Sequence, residues 1–119
     1  MLVGTMVAAV LMAQAPAQVE VGYEELAQGR EAAAIATIES NEALEENDPA
    51  RLINLGIAYA RQGREDAAQA MFEAAATSAK RYDMETAAGK WVDSRDLARR
   101  ALAMLDRGEF TDGSRMTMR

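Results

Sequence analysis

Residues 49–72 read PARLINLGIAYARQGREDAAQAMF. Leu52, Leu55 and Tyr59 recur at i, i+3 and i+7, which puts them on one face of a helix. Asp48 precedes the stretch and can cap its free amides, and Pro49 suits a first turn because it has no amide proton to lose there. Gly63 closes that helix at Arg61-Gln62-Gly63, where the chain needs a left-handed residue. A second helix is expected from Arg64 to about Lys80, its inward face formed by Ala67, Ala68, Met71, Phe72 and Ala75. Gly56 and Ala68 are small where the two helices must approach closely, and Tyr59 and Phe72 are expected to fill the space beside that contact.

Moving outward, the chain repeats itself at an offset of 34 residues. Gly22 falls on Gly56, Gly29 on Gly63, Arg30-Glu31 on Arg64-Glu65, Ala33-Ala34 on Ala67-Ala68 and Ile38 on Phe72. The first unit therefore predicts a short helix over 19–28 and a second over 30–45, with Ala34, Ile35, Ile38 and Leu44 apolar. A third unit is looser. With one inserted residue, Gly89 takes the place of Gly56, Ala101 that of Ala68 and Leu105 that of Phe72. Ser94-Arg95-Asp96 reads as a helix start capped by Ser94, and Leu97, Ala101, Met104 and Leu105 form its apolar stripe. Such a unit reads as the cap of the array.

The spacing Leu52-x-x-Leu55-Gly56-x-x-Tyr59, then Gly63, then Ala68-x-x-x-Phe72 resembles the tetratricopeptide repeat, with Leu52 where that family usually has Trp. The resemblance covers residues 15–82 clearly and the remainder loosely. It implies an all-α fold of tandem antiparallel helix hairpins stacked as a short right-handed superhelix. Its units would be 18–48, 49–82 and a capping unit 83–109, followed by a disordered tail at 110–119. It also implies that first helices line a groove that receives a polypeptide segment. Mapped by position, the groove residues are Val19, Tyr23, Leu26 and Ala27, then Ile53, Ile57, Ala60 and Arg61, then Trp91 and Arg95. On that reading Ile57→Asp should abolish partner capture and leave the helical signal near wild type. The alternative is that the same apolar residues are plain core, with Trp91 the plug of the cap. Family members that bind C-terminal carboxylates use Lys, Arg and Asn on groove helices; Asn54 and Arg61 alone do not make that clamp.

Composition narrows the functional classes. The chain has 119 residues, one tryptophan, and a net charge of −6, so a phosphate backbone is repelled and nucleic-acid binding is not expected. It has neither cysteine nor histidine, which removes the usual zinc ligands, thiol nucleophiles and imidazole bases together. Neither an enzyme nor a cofactor is expected. Glu24 and Glu25 diverge by about 100° on a helix and cannot face one substrate. Glu42, Glu45, Glu46 and Asp48 form an acidic run that reads as a solvated helix end.

Residues 2–13, LVGTMVAAVLMA, are apolar or small. They fall short of the ~20 residues that span a bilayer and match the apolar region of a signal peptide. Ala13-Gln14-Ala15 and Ala15-Pro16-Ala17 fit small-residue cleavage, with the cut expected after Ala17. Only the α-amino group supplies the positive start. Residues 1–17 are thus expected to be a signal peptide and the protein periplasmic or secreted; the other reading is a buried first helix in a cytoplasmic protein. The functional expectation is an adaptor that binds another protein or peptide, the alternative being self-assembly into a homodimer.

Overall fold

Asp48 opens the helix around which the others are arranged. Its Oδ1 accepts hydrogen bonds from the amides of Ala50 at 2.9 Å and Arg51 at 3.3 Å, satisfying two of the donors a helix start leaves free. In a computed structural model of the chain, residues 21–110 are described. They form α1 (Tyr23–Ala27), α2 (Glu31–Ser40), α3 (Pro49–Arg61), α4 (Glu65–Thr77), β1 (Asp83–Glu85), β2 (Trp91–Asp93) and α5 (Ser94–Asp106). The expected signal segment, groove residue Val19 and the tail beyond Phe110 lie outside the described residues.

Among the described residues the fold is mainly helical, with one two-stranded antiparallel sheet. α3 is central: it packs against α1, α2, α4 and α5, while α4 also packs along α5. Consequently Leu52 through Ala58 are all buried, and the helix is enclosed on nearly every side. Ile53 and Ile57 are both fully buried; each side chain contributes roughly 2–3 kcal/mol by leaving water.

The two hairpins share one contact. A Cβ added to Gly56 would stand 2.4 Å from the Phe72 ring, and one added to Gly22 would stand 2.9 Å from Ile38 Cδ1. Gly22 and Ile38 are the residues that the offset of 34 aligns with Gly56 and Phe72, so an apolar side chain reaches the glycine in each unit. But α1 starts only at Tyr23, and Gly22 is the left-handed residue before it (φ 74°) and not part of a helix over 19–28, whereas Gly56 lies within α3. The ring occupies the site at Gly56 itself, not the space beside it. Phe72 then stacks on Phe110, with centroids 5.7 Å apart. Tyr59 is not a core filler: it is half-buried, its hydroxyl donates to Glu39 Oε1 at 3.1 Å, and the Arg64 guanidinium lies 4.5 Å from its ring centroid. Burial, and then that bond to Glu39, raise the phenol above its ordinary pKa.

Several expectations need correction. The third unit has no first helix before α5. A hairpin stands there instead, with Asp83, Met84 and Glu85 opposite Asp93, Val92 and Trp91. Gly89 lies in the hairpin turn at φ 79°, not in a helix contact. The cap of α5 is Asp93, whose Oδ1 accepts from the amides of Arg95 at 2.9 Å and Asp96 at 3.3 Å. Ser94 is buried behind it, its Oγ accepting from the Tyr82 amide at 3.3 Å. α2 stops at Ser40, so Glu42, Glu45 and Glu46 of the acidic run are exposed in the loop before α3, and only Asp48 stands at a helix end, as the α3 cap. Phe110, assigned to the tail by its sequence, is core.

Aligning α5 with α3 restores the order. At an offset of 45, Asp93 falls on Asp48, Leu97 on Leu52, Ala101 on Gly56 and Gly108 on Gly63. Both helices have 13 residues, and both are followed two residues later by a glycine at positive φ, 76° at Gly63 and 69° at Gly108. The offset of 45 exceeds 34 by 11 residues, and the hairpin stands in the added stretch between α4 and α5.

Candidate functional site

The residues expected to line a groove are dispersed. Leu26, Ile53, Ile57 and Ala60 are buried, Tyr23 is half-buried, and Ala27 is exposed. Burial follows from α3's central place: its second apolar face, which carries Ile53 and Ile57, is covered by neighbouring helices. The expectation that Ile57→Asp would leave the fold intact is therefore reversed.

Arg61 is a tie between helices. Its Nη1 donates to the Leu26 carbonyl at 2.8 Å, at the C-terminus of α1, and lies 3.9 Å from Glu31. Burial lowers its pKa, with Glu31 opposing that shift. Asn54 serves the same joint, its Nδ2 donating to the Val21 carbonyl at 2.8 Å from a fully buried position. Arg95 is likewise internal: Nη2 donates to the Ser78 carbonyl at 2.7 Å, and the buried Nε has no hydrogen-bond partner. Arg61 and Asn54 thus tie α3 to α1 and to the residue pair before it, and Arg95 ties α5 to the end of α4, so all three are spent on internal bonds.

Trp91 is the exception. It is 67% exposed, the most open of the large apolar side chains among the described residues. The pleat explains its direction. Directly opposed residues share a face, so Trp91, Glu85, Asp83 and Asp93 lie on one side of the hairpin, and Met84 and Val92 lie on the other. Met84 is buried, Val92 packs on the core, and this anchored side leaves the other facing solvent.

The hairpin is held at its base. Arg81 Nε donates to Asp93 Oδ2 at 2.6 Å, and the Ser94 amide donates to the Tyr82 carbonyl at 2.9 Å. The bond to Arg81, aided by the two capped amides, holds the Asp93 carboxyl below its ordinary pKa. Tyr82, 41% exposed, sends its hydroxyl 2.8 Å to Asp48 Oδ1, so the hairpin's entry is fastened to the α3 cap. Burial first, and then that bond, push the Tyr82 phenol well up. The resulting surface is an indole beside the carboxylates of Asp83 and Glu85. It can stack on a flat or aliphatic side chain and attract a cationic one.

The sequence single-signalled Trp91 as an aromatic and missed Asp83 and Glu85. The alternation Asp83-Met84-Glu85, with one apolar residue between two acids, was the available signal. Among the described residues there is no group of three potential ligands that could hold a metal ion, and no helix long and apolar enough to cross a membrane. No protein-family profile matches the sequence, and comparisons with curated proteins and with solved structures give no match.

Proposed function

We propose that the chain is a protein–protein interaction module built as a short tetratricopeptide-like array, and that Trp91 with its acidic surroundings is where a polypeptide partner is held. The array reading is supported by the recurring contact of Gly22 with Ile38 and of Gly56 with Phe72. It counts α1 and α2 as one unit, α3 and α4 as a second, and α5 as the first helix of a third.

The observation that carries the binding reading is the exposure of Trp91 on a hairpin whose reverse side is anchored. Tryptophan supplies much of the energy at protein interfaces because a large rigid surface is desolvated at small entropic cost. Asp83 and Glu85 favour a partner segment carrying Lys or Arg. The apolar stripe of Ile53 and Ile57 contributes stability in this reading, and contact with the partner passes to the hairpin.

The test uses the sole tryptophan. Wild type and Trp91→Ala are immobilised in parallel and challenged with extract from the source cells. Bound proteins are then compared quantitatively. The expected result is a partner retained by wild type and lost by the variant, with identical circular dichroism. Adding that partner should also shift the Trp91 fluorescence to shorter wavelength as the indole leaves water. Retention of the same proteins by both forms would count against the hairpin. Concentration-dependent light scattering abolished by Trp91→Ala would instead make the partner a second copy.

A further inference from the structure

We infer that the groove between α4 and α5 is a second docking seat, shaped for an amphipathic helix whose apolar stripe is flanked by Lys or Arg. The inference rests on the array reading of α5 and not on the role given to Trp91.

Equivalent positions carry the argument. On α3, Ile57 and Ala60 are 0% and 2% exposed because further helices cover them. Their counterparts 45 residues later, Leu102 and Leu105, are only partly buried. They line an open groove whose opposite wall is the polar side of α4. Where α3 is followed after Gly63 by the apolar spacing Ala67-Ala68-Met71-Phe72, Gly108 is followed by Glu109-Phe110 and TDGSRMTMR, which has no such spacing. Phe110 fills only the position beside Phe72.

Charge then selects the occupant. Glu65, Asp66 and Glu73 come from α4 and Asp106 from α5, so four carboxylates border the two leucines. The nearby arginines are engaged: Arg99 with Asp96 at 3.0 Å and Arg107 with Glu109 at 2.7 Å. Among the described residues Glu65, Asp66 and Asp106 form no ion pair. A helix laid between Leu102 and this rim buries its apolar stripe and sets its basic flanks against carboxylates, the helix-in-groove mode.

The test titrates the full chain with a synthetic amphipathic helix bearing a leucine stripe flanked by lysines. A scrambled peptide of the same composition serves as control, and binding is followed by amide and methyl shifts. Saturable binding of the patterned peptide is expected, with the largest shifts at Leu102 and Leu105. Glu65→Lys/Asp66→Lys, two exposed changes, should weaken it at least about tenfold by reversing charge at the rim. Leu102→Asp should remove it. Equal binding of the scrambled peptide, or shifts centred elsewhere, overturns the proposal. Binding that appears only in Arg115→Glu/Arg119→Glu overturns it in favour of the chain's own residues 111–119. A dimer abolished by Leu102→Asp overturns it in favour of a second copy. Loss of this seat with Trp91-dependent capture intact leaves the interaction-module reading standing.

Discussion

α3 and α5 obey the same local rules and meet different fates. Each begins at an aspartate that receives two amide hydrogen bonds and runs for 13 residues to a left-handed glycine. Yet α3 is buried on nearly all sides, whereas Arg99, Arg100 and Ala103 of α5 face solvent. At the corresponding places α3 carries Asn54, Leu55 and Ala58, all buried. Caps and terminal glycines thus set where a helix starts and stops. Its neighbours in the series set how much of it is dry, and the side chains on its outer face record that position.

The sharpest way to break the comparison is to put a charge at paired positions. Ile57→Asp places a carboxylate in a fully buried site with no partner, and should cost more than about 4 kcal/mol, unfolding much of the population. Leu102→Asp, on the half-open face, should cost on the order of 1 kcal/mol and remain folded, as burial scales the loss. Urea denaturation followed by circular dichroism measures both. Similar midpoints for the two variants would erase the distinction between an enclosed and a half-open helix.

A methyl group tests the close approach. Helix propensity alone says Gly56→Ala should stabilise by about 1 kcal/mol. The Phe72 ring stands where that methyl would go, 2.4 Å away, and the ring is itself pinned by Phe110. Overpacking of this kind costs about 1–3 kcal/mol, so net destabilisation is expected. The counterpart, Ala101→Gly in α5, should destabilise by about 1 kcal/mol from the lost propensity. A rise in stability for Gly56→Ala would remove the ring from that position.

The caps differ in what else they hold. Asp48→Ala should cost about 1 kcal/mol through lost amide bonds, and Asp93→Ala should lower stability in the same direction. Asp48 also accepts from Tyr82, and Asp93 from Arg81, so the hairpin loosens in both. Proton linkage separates them. The folded pKa of Asp93 is lowered, chiefly by Arg81. Its contribution is present above the ordinary aspartate value of 3.8 and disappears as pH falls through the lower folded value. The Tyr82 phenol is raised, chiefly by burial. Its contribution is present below the ordinary value of 10.0 and declines as pH rises beyond it. Tyr82→Phe should therefore lower stability at neutral pH and flatten its fall at alkaline pH. Asp93→Asn should flatten the acid limb instead.

Much of this was legible because it is local. Asp48-Pro49, the i, i+3, i+7 spacing of Leu52, Leu55 and Tyr59, and Gly63 each act within one or two turns. The repeat at 34 also aligned Gly22 with Gly56 and Ile38 with Phe72, but the expected neighbour of Gly56 was Ala68, and the Phe72 ring stands there instead. Register failed in the third unit, where matching by small residues set Gly89 against Gly56. A glycine needed for a turn and one needed for a close approach are the same letter. The pair Asp93 and Gly108, at the spacing of Asp48 and Gly63, would have separated them. Strands of three residues leave almost no periodic signal, which hid the hairpin. Finally, whether Ile53 and Ile57 face a groove or a neighbouring helix depends on tertiary packing, and an apolar face looks the same in either case.

The smallest effect on stability should come from the residue with the largest expected effect on binding. Trp91 is 67% exposed and outside the hydrophobic core, and its strand partner Glu85 keeps its backbone bonds whatever side chain stands at 91. Trp91→Ala should change stability by no more than about 0.5 kcal/mol, the range of ordinary surface substitutions. Val92→Ala, one residue on and facing the core, should cost about 1 kcal/mol through lost burial. The pair reads out the pleat directly by thermal or urea denaturation. If Trp91→Ala destabilises more than Val92→Ala, the indole is a packing residue, and the reason for assigning it to a partner disappears.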